Sequence, residues 1–237
     1  MTFVALVFAT LAIYWWQQAY PQLAEQVVEL WERWVDYCWQ GLAQKSWGRG
    51  VAGWSLTILG TAVVVAALVK IISGNHLLAL LLLHVLVLTV ALGPIGFDED
   101  MDTAQVLRLV SCVFFYGVFG ILGLVSVRLL LTRQSQAVWT QVSEVVIPWV
   151  LWVPARVVVI SYALVGNFHT CMHFLMAKGL ALPRDGEAEE LVERGSIAAL
   201  EPLWDELTAP EQQIQRSALN RRALLALLVI LAFVSIF

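Results

Sequence analysis

At 237 residues, 60% hydrophobic, 14% charged and with a mean hydropathy of +0.78, this chain carries more apolar surface than one soluble core can hide. Its formal net charge of −4 argues against a nucleic-acid binder, which would show a basic face. Cys38, Cys112 and Cys171 are far apart and form no CxxC pair, which removes a disulfide framework and a zinc signature. The composition reads as an integral membrane protein of the all-α class: one polytopic helical bundle over residues 1–237, with five to six membrane-inserted helices, an amphipathic interfacial helix and a short cytoplasmic helical segment.

In chain order, Met1–Trp16 has an apolar centre without a basic leader or a small-residue cleavage site, and reads as a short membrane helix ending in the aromatic pair Trp15 and Trp16. Residues 21–44 read as an amphipathic helix. Leu23, Val27, Trp31, Trp34, Cys38 and Leu42 recur at steps of four and three, Glu25, Glu29, Glu32 and Asp36 mark another face, and Pro21 stands at the first turn. The polar face is acidic, so the tryptophan stripe is expected to pack on protein rather than on an anionic leaflet.

Four longer runs follow. Val51–Ile71 holds no charge before Lys70, and about 20 residues at a 1.5 Å rise cover a hydrocarbon core of roughly 30 Å. His76–Leu92 comes after Ser73-Gly74-Asn75, which predicts a helical hairpin. Val110–Leu131 is bracketed by Arg108 and Arg128, both near enough to an end to snorkel. Val145–Val165 carries Pro154 and Arg156. Beyond it, 166–222 holds six basic and nine acidic residues, with short helices expected at Glu187–Arg194 and Ala198–Leu207, broken near Gly195 and Pro202. Ala223–Phe237 is a terminal membrane helix, short for a perpendicular span.

With an outward N-terminus, nine lysines and arginines outside the spans fall on the cytoplasmic side, against Lys70 and Arg133 outside. Both long polar connections then lie in the cytoplasm. Phosphate-loop, nucleophile-elbow, zincin and solenoid-repeat patterns are missing from the sequence, so no cofactor is called and an enzyme is disfavoured.

The polar residues near or within spans each carry two readings. His169 and His173 stand at i and i+4, but Cys171 falls on roughly the opposite face and no third ligand is evident, so a juxtamembrane polar pair is preferred to a metal site. His84, inside its span, is expected to hydrogen-bond between helices, to Thr89 or a facing serine. Asp98, Glu99, Asp100 and Asp102 are either a solvated loop or an oxygen-rich cation site; the spacing is not that of an EF-hand. Arg156 is the sharpest feature. An arginine at a helix centre costs about 2.5 to 3.5 kcal/mol to insert, so it should meet protein, water or an anion. Pro154 deletes one backbone donor and releases the carbonyl near Val150, giving that arginine a polar neighbour.

Two stretches carry a family resemblance. Phe114-Phe115-Tyr116-Gly117-Val118-Phe119-Gly120-Ile121-Leu122-Gly123-Leu124 through Arg128 resembles the aromatic, spaced-glycine and terminal-arginine pattern of the AmpE and CobD/CbiB membrane family. Trp149–Arg156, followed by Tyr162-Ala163-Leu164-Val165-Gly166-Asn167-Phe168, is similar to that family's W-x-PAR and AL-x-G-(D/N)-F stretch. With the terminal helix, the likeness covers about half of the chain, and Trp152, Pro154, Ala155, Arg156, Gly166 and Phe168 are its most specific parts.

The resemblance implies one of two functions. CobD/CbiB members are adenosylcobinamide-phosphate synthases with an N-terminal DP…HP motif and a C-terminal SPN-x-G motif, and neither motif is found in this sequence. AmpE members are inner-membrane proteins associated with control of β-lactamase induction, and the chain is closer to them, in a shortened form. The expectation is a regulatory membrane protein in which Arg156, Pro154 and Trp152, with Arg128 as a second cation, seat an anionic lipid or a cell-wall-derived ligand. Another membrane protein is a possible partner and nucleic acid is not. A divergent corrinoid enzyme and a non-catalytic structural partner stay open as alternatives.

Overall fold

The computed structural model describes residues 4, 5, 7–9, 12, 33, 51–74, 76–92, 101–132, 140–178, 182–184, 186–201, 204 and 207–236. The readings for Met1–Trp16 and 21–44 therefore fall almost wholly outside the described residues, as do Asp98, Glu99 and Asp100. Seven helices follow Val51, and no strand occurs among the described residues: α1 (Val51–Ser73), α2 (Leu77–Leu92), α3 (Thr103–Thr132), α4 (Thr140–Val165), α5 (Phe168–Lys178), α6 (Glu187–Leu200) and α7 (Ala209–Ile236). Within these, Ser55–Ser73, Thr103–Leu131 and Glu144–Val165 are long and apolar enough to cross a membrane, while Leu77–Leu92 is apolar but shorter. The broad expectation of a helical membrane protein agrees with this; five to six spans are not shown.

The chain forms two compact units, one of residues 1–96 and 112–144, the other of 97–111 and 145–237. In the first, α1 and α2 make the expected hairpin. Gly74 adopts φ +53°, a left-handed conformation that ends α1, and the His76 N–H donates to the Ser73 carbonyl at 3.0 Å. Leu56, Leu59, Val63, Leu68, Leu78 and Leu82 are exposed, so these helices turn large apolar side chains outward, as a lipid solvent permits. The hydroxyls of Thr57 and Thr89 donate to carbonyls one turn back, Gly53 at 2.6 Å and Val85 at 2.7 Å, which satisfies them inside their own helices.

Helix α3 begins seven residues before the expected Val110 and breaks at Gly120, whose φ 64° and ψ −147° lie outside helical space. After the break the chain turns so tightly that a methyl group on Gly123 would overlap the Phe115 carbonyl oxygen and lie 2.8 Å from Phe119 Cβ. The spaced glycines of this stretch thus have separate physical reasons: Gly120 for its backbone angle, Gly123 for closeness.

In the second unit, α5 and α6 pack on each other beside the end of α4. A methyl on Gly195 would sit 2.8 Å from Val159 Cγ2, and one on Gly166 would sit 2.6 Å from the Ala199 oxygen. Gly195 therefore does not break the helix, contrary to the expectation of two short pieces. It lies inside one continuous α6 and lets that helix approach α4. Val158, Val159, Tyr162, Cys171 and Val192 are wholly buried around this contact. Likewise α7 is one helix that starts fourteen residues before Ala223, so the terminal apolar stretch extends a polar first half.

Candidate functional site

Trp152 and Arg156 stand four residues apart on α4, hence on one face. The guanidinium carbon lies 3.7 Å from the centre of the Trp152 ring, and Arg156 Nη1 donates to the Trp152 carbonyl at 2.6 Å. The W-x-PAR spacing thus has a local cause: it stacks cation on indole and returns the side chain to its own helix, a contact of about 0.5 to 2 kcal/mol. Helix α4 continues through both Pro148 and Pro154. Glu187, the first residue of α6, exerts an attractive coulombic effect on Arg156.

The next contacts continue along the same two helices. Gly195 with Val159 and Ala199 with Gly166 set α6 beside the second half of α4 and parallel to it. At the end, the Asn167 N–H donates to the Ala199 carbonyl at 2.8 Å and Asn167 Nδ2 to the Glu201 carbonyl at 3.2 Å. Asn167 Oδ1 meanwhile accepts from the Thr170 N–H at 3.3 Å, which caps α5. One side chain therefore ends one helix connection and starts another. Cys171, buried beneath, points its thiol at the carbonyls of Val159 (3.4 Å) and Gly195 (3.7 Å), and burial pushes that thiol up to about 11. His169 and His173 are exposed on the other side, so the three do not converge, and no group of three metal-binding side chains occurs among the described residues.

A second polar cluster lies where α3 begins and α7 passes. Tyr162 and Asn220 are both 0% exposed; the tyrosine hydroxyl donates to Asn220 Oδ1 at 2.7 Å, and Asn220 Nδ2 donates to the Met101 carbonyl at 2.8 Å. Buried polar atoms are thereby paired across three segments, as burial requires. Asp102, read from sequence as part of an acidic loop, is the N-cap of α3: its Oδ1 accepts the Gln105 N–H at 2.6 Å, and Gln105 Oε1 accepts the Asp102 N–H at 3.0 Å. Beside it opens a cavity of about 260 Å³ lined by Met101, Asp102, Trp204, Gln212, Gln213 and Arg216, among others. The Arg216 guanidinium carbon lies 4.9 Å from the Trp204 ring centre, and Nη1 is 3.8 Å from a Glu193 oxygen.

Of the residues expected at a site, Trp152, Pro154 and Arg156 share one turn of α4, and Asp102 caps α3. Arg128 belongs to the first unit, where its charge acts on buried Cys112. His84 does bond between helices, but its Nδ1 meets the Tyr116 hydroxyl at 2.7 Å rather than Thr89. Sequence reasoning missed Tyr162, Trp204, Arg216 and Asn220. A signal for their setting was present: Asp102-x-x-Gln105 and Thr208-x-x-Glu211 are capping boxes that fix where α3 and α7 start, and Thr208 Oγ1 and N do bond Glu211 Oε2 at 2.6 and 2.9 Å.

Neither a family model nor a curated protein nor a solved structure matches this chain.

Proposed function

We propose that this chain is a multi-pass protein of the bacterial inner membrane with a regulatory role of the AmpE kind, linked to β-lactamase induction, rather than an enzyme. One observation carries the reading. Residues of the AL-x-G-N-F stretch are the ones that join apolar α4 to the acid-rich α6: Gly166 against Ala199, and Asn167 on Ala199 and Glu201. A shift of the spanning helix would thus be felt directly by α6.

Arg156 is the charge that meets the phosphate or carboxylate of a lipid or cell-wall-derived ligand in this proposal, with Trp152 and Pro154 shaping its turn and Arg128 a second cation. Glu187 is the internal carboxylate whose influence such a ligand would replace. The corrinoid reading lacks its two sequence motifs and ranks below.

Deleting the gene and measuring β-lactamase induction and cobinamide-dependent growth tests the proposal. Altered induction with unchanged vitamin prototrophy is expected, and Arg156→Ala in place of the wild type should reproduce the defect at normal protein level. Vitamin auxotrophy would replace the proposal with the corrinoid enzyme. Unaltered induction would leave only a structural partner.

A further inference from the structure

The cavity beside Arg216 holds a feature that helix packing alone does not explain. Arg216 Nε is buried and has no hydrogen-bond partner among the described residues, although the side chain as a whole is 27% exposed. The rest of the guanidinium is directed: its face lies toward Trp204, and Nη1 points to Glu193 at a distance too long for a hydrogen bond. Because Nε is sealed from solvent, an oxyanion in the cavity would be met by the fork of the two terminal guanidinium nitrogens, which present paired donors to one planar or tetrahedral group. The cavity lies against this residue.

Asp102 lines the same space. One of its oxygens is taken by the α3 cap and the carboxylate remains exposed. A simple anion on Arg216 would therefore face a like charge across a small cavity, whereas a zwitterion satisfies both. The volume of about 260 Å³ matches roughly eight or nine water-sized groups, enough for a phosphate ester with a short amine. Gln212 is not free to add selectivity, since its Nε2 holds the carbonyls of Trp204 and Leu207 at 3.1 and 3.2 Å.

The position along α7 narrows the source. Arg216 precedes the apolar stretch that begins at Ala223 by seven residues, about 10 Å of helix, and Arg221 and Arg222 lie exposed between them. That offset puts Arg216 at the outer, polar edge of a headgroup layer, which extends about 5 to 7.5 Å beyond each face of the hydrocarbon core.

We propose that the cavity between Arg216, Trp204 and Asp102 binds a phosphoethanolamine headgroup, its phosphodiester on the Arg216 fork and its ammonium toward Asp102. The inference rests on the membrane reading of α7 and is independent of the regulatory role.

The test uses the full chain purified in detergent, with thermal unfolding as readout, and titrates glycerophosphoethanolamine, glycerophosphocholine and inorganic phosphate. In parallel, native mass spectrometry follows retention of phosphatidylethanolamine and phosphatidylglycerol from mixed vesicles. The expected result is stabilisation by glycerophosphoethanolamine and selective retention of the ethanolamine lipid, both reduced at least tenfold in apparent affinity by Arg216→Gln. Asp102→Asn, which preserves the cap, should weaken the ethanolamine ligand and leave inorganic phosphate unchanged or tighter. Retention of the lipid without binding of the free headgroup would make acyl chains the determinant and overturn the site, as would equal binding by wild type and both variants. Binding of the free headgroup with no lipid selectivity would move the source from bilayer to solution and overturn the lipid assignment.

Discussion

Each of the two units is held together internally by its own kind of contact. In the first, α1 and α2 turn large aliphatic side chains outward while Leu124, Val125, Leu129 and Leu130 of the later part of α3 are buried, and the polar atoms mostly bond within their own helix. Between helices, a side-chain hydrogen bond among the described residues is His84 to Tyr116. In the second, segment joins segment through directed groups: Tyr162 and Asn220 on Met101, Asn167 on α6, glycines where backbones touch. Apolar packing tolerates exchange of one side chain for another of similar volume, whereas a buried hydrogen-bond chain fails when one member is removed. Single substitutions should therefore divide by unit.

The largest effect is expected at Asn220. Asn220→Ala leaves the Tyr162 hydroxyl and the Met101 carbonyl unpaired in a buried place and should cost about 3 kcal/mol, read as a lowered unfolding midpoint in detergent. Gly166→Ala comes next, since the added methyl meets a backbone oxygen that cannot turn aside; about 1 to 3 kcal/mol is expected, with faster hydrogen exchange at the α4–α6 joint. In the first unit, Tyr116→Phe removes only the link to His84 and should cost about 0.6 kcal/mol, and a loss as large as that of Asn220→Ala would erase the contrast. The smallest effect is a pH dependence at the start of α7. The Thr208 hydroxyl and N–H hold the Glu211 carboxyl below its ordinary range. The cap is thus fully present above the ordinary carboxyl value and is lost as pH falls through the lowered one, so exchange at the first turn of α7 should quicken in acid. Thr208→Ala, which keeps the N–H and loses the hydroxyl, should shrink that acid step and move it toward the ordinary carboxyl range.

Sequence periodicity located the apolar helices because a span must be long and uninterrupted, and α1, α2 and α4 lie within a few residues of their expected bounds. It erred where one residue serves a neighbour. Gly195 carries the mark of a helix break, yet its missing side chain is filled by Val159, a contact 36 positions away that no local rule contains. The Arg216 cavity was least visible. Its walls come from the residues before α3, from Trp204 and from α7, and an arginine among polar residues looks solvated until Trp204 is placed over it. The capping boxes were readable throughout, and would have shown that α7 begins well before its apolar stretch.

The pairing of Tyr162 with Asn220 also bears on how the protein is made. A tyrosine emerging from the ribosome must wait 58 residues for the amide that completes it, and Asn167 waits 32 for the Ala199 carbonyl. The second unit is therefore unfinished until its final helix has been synthesised, and a stalled or prematurely terminated product would present an incompletely paired core to the quality-control proteases of the membrane.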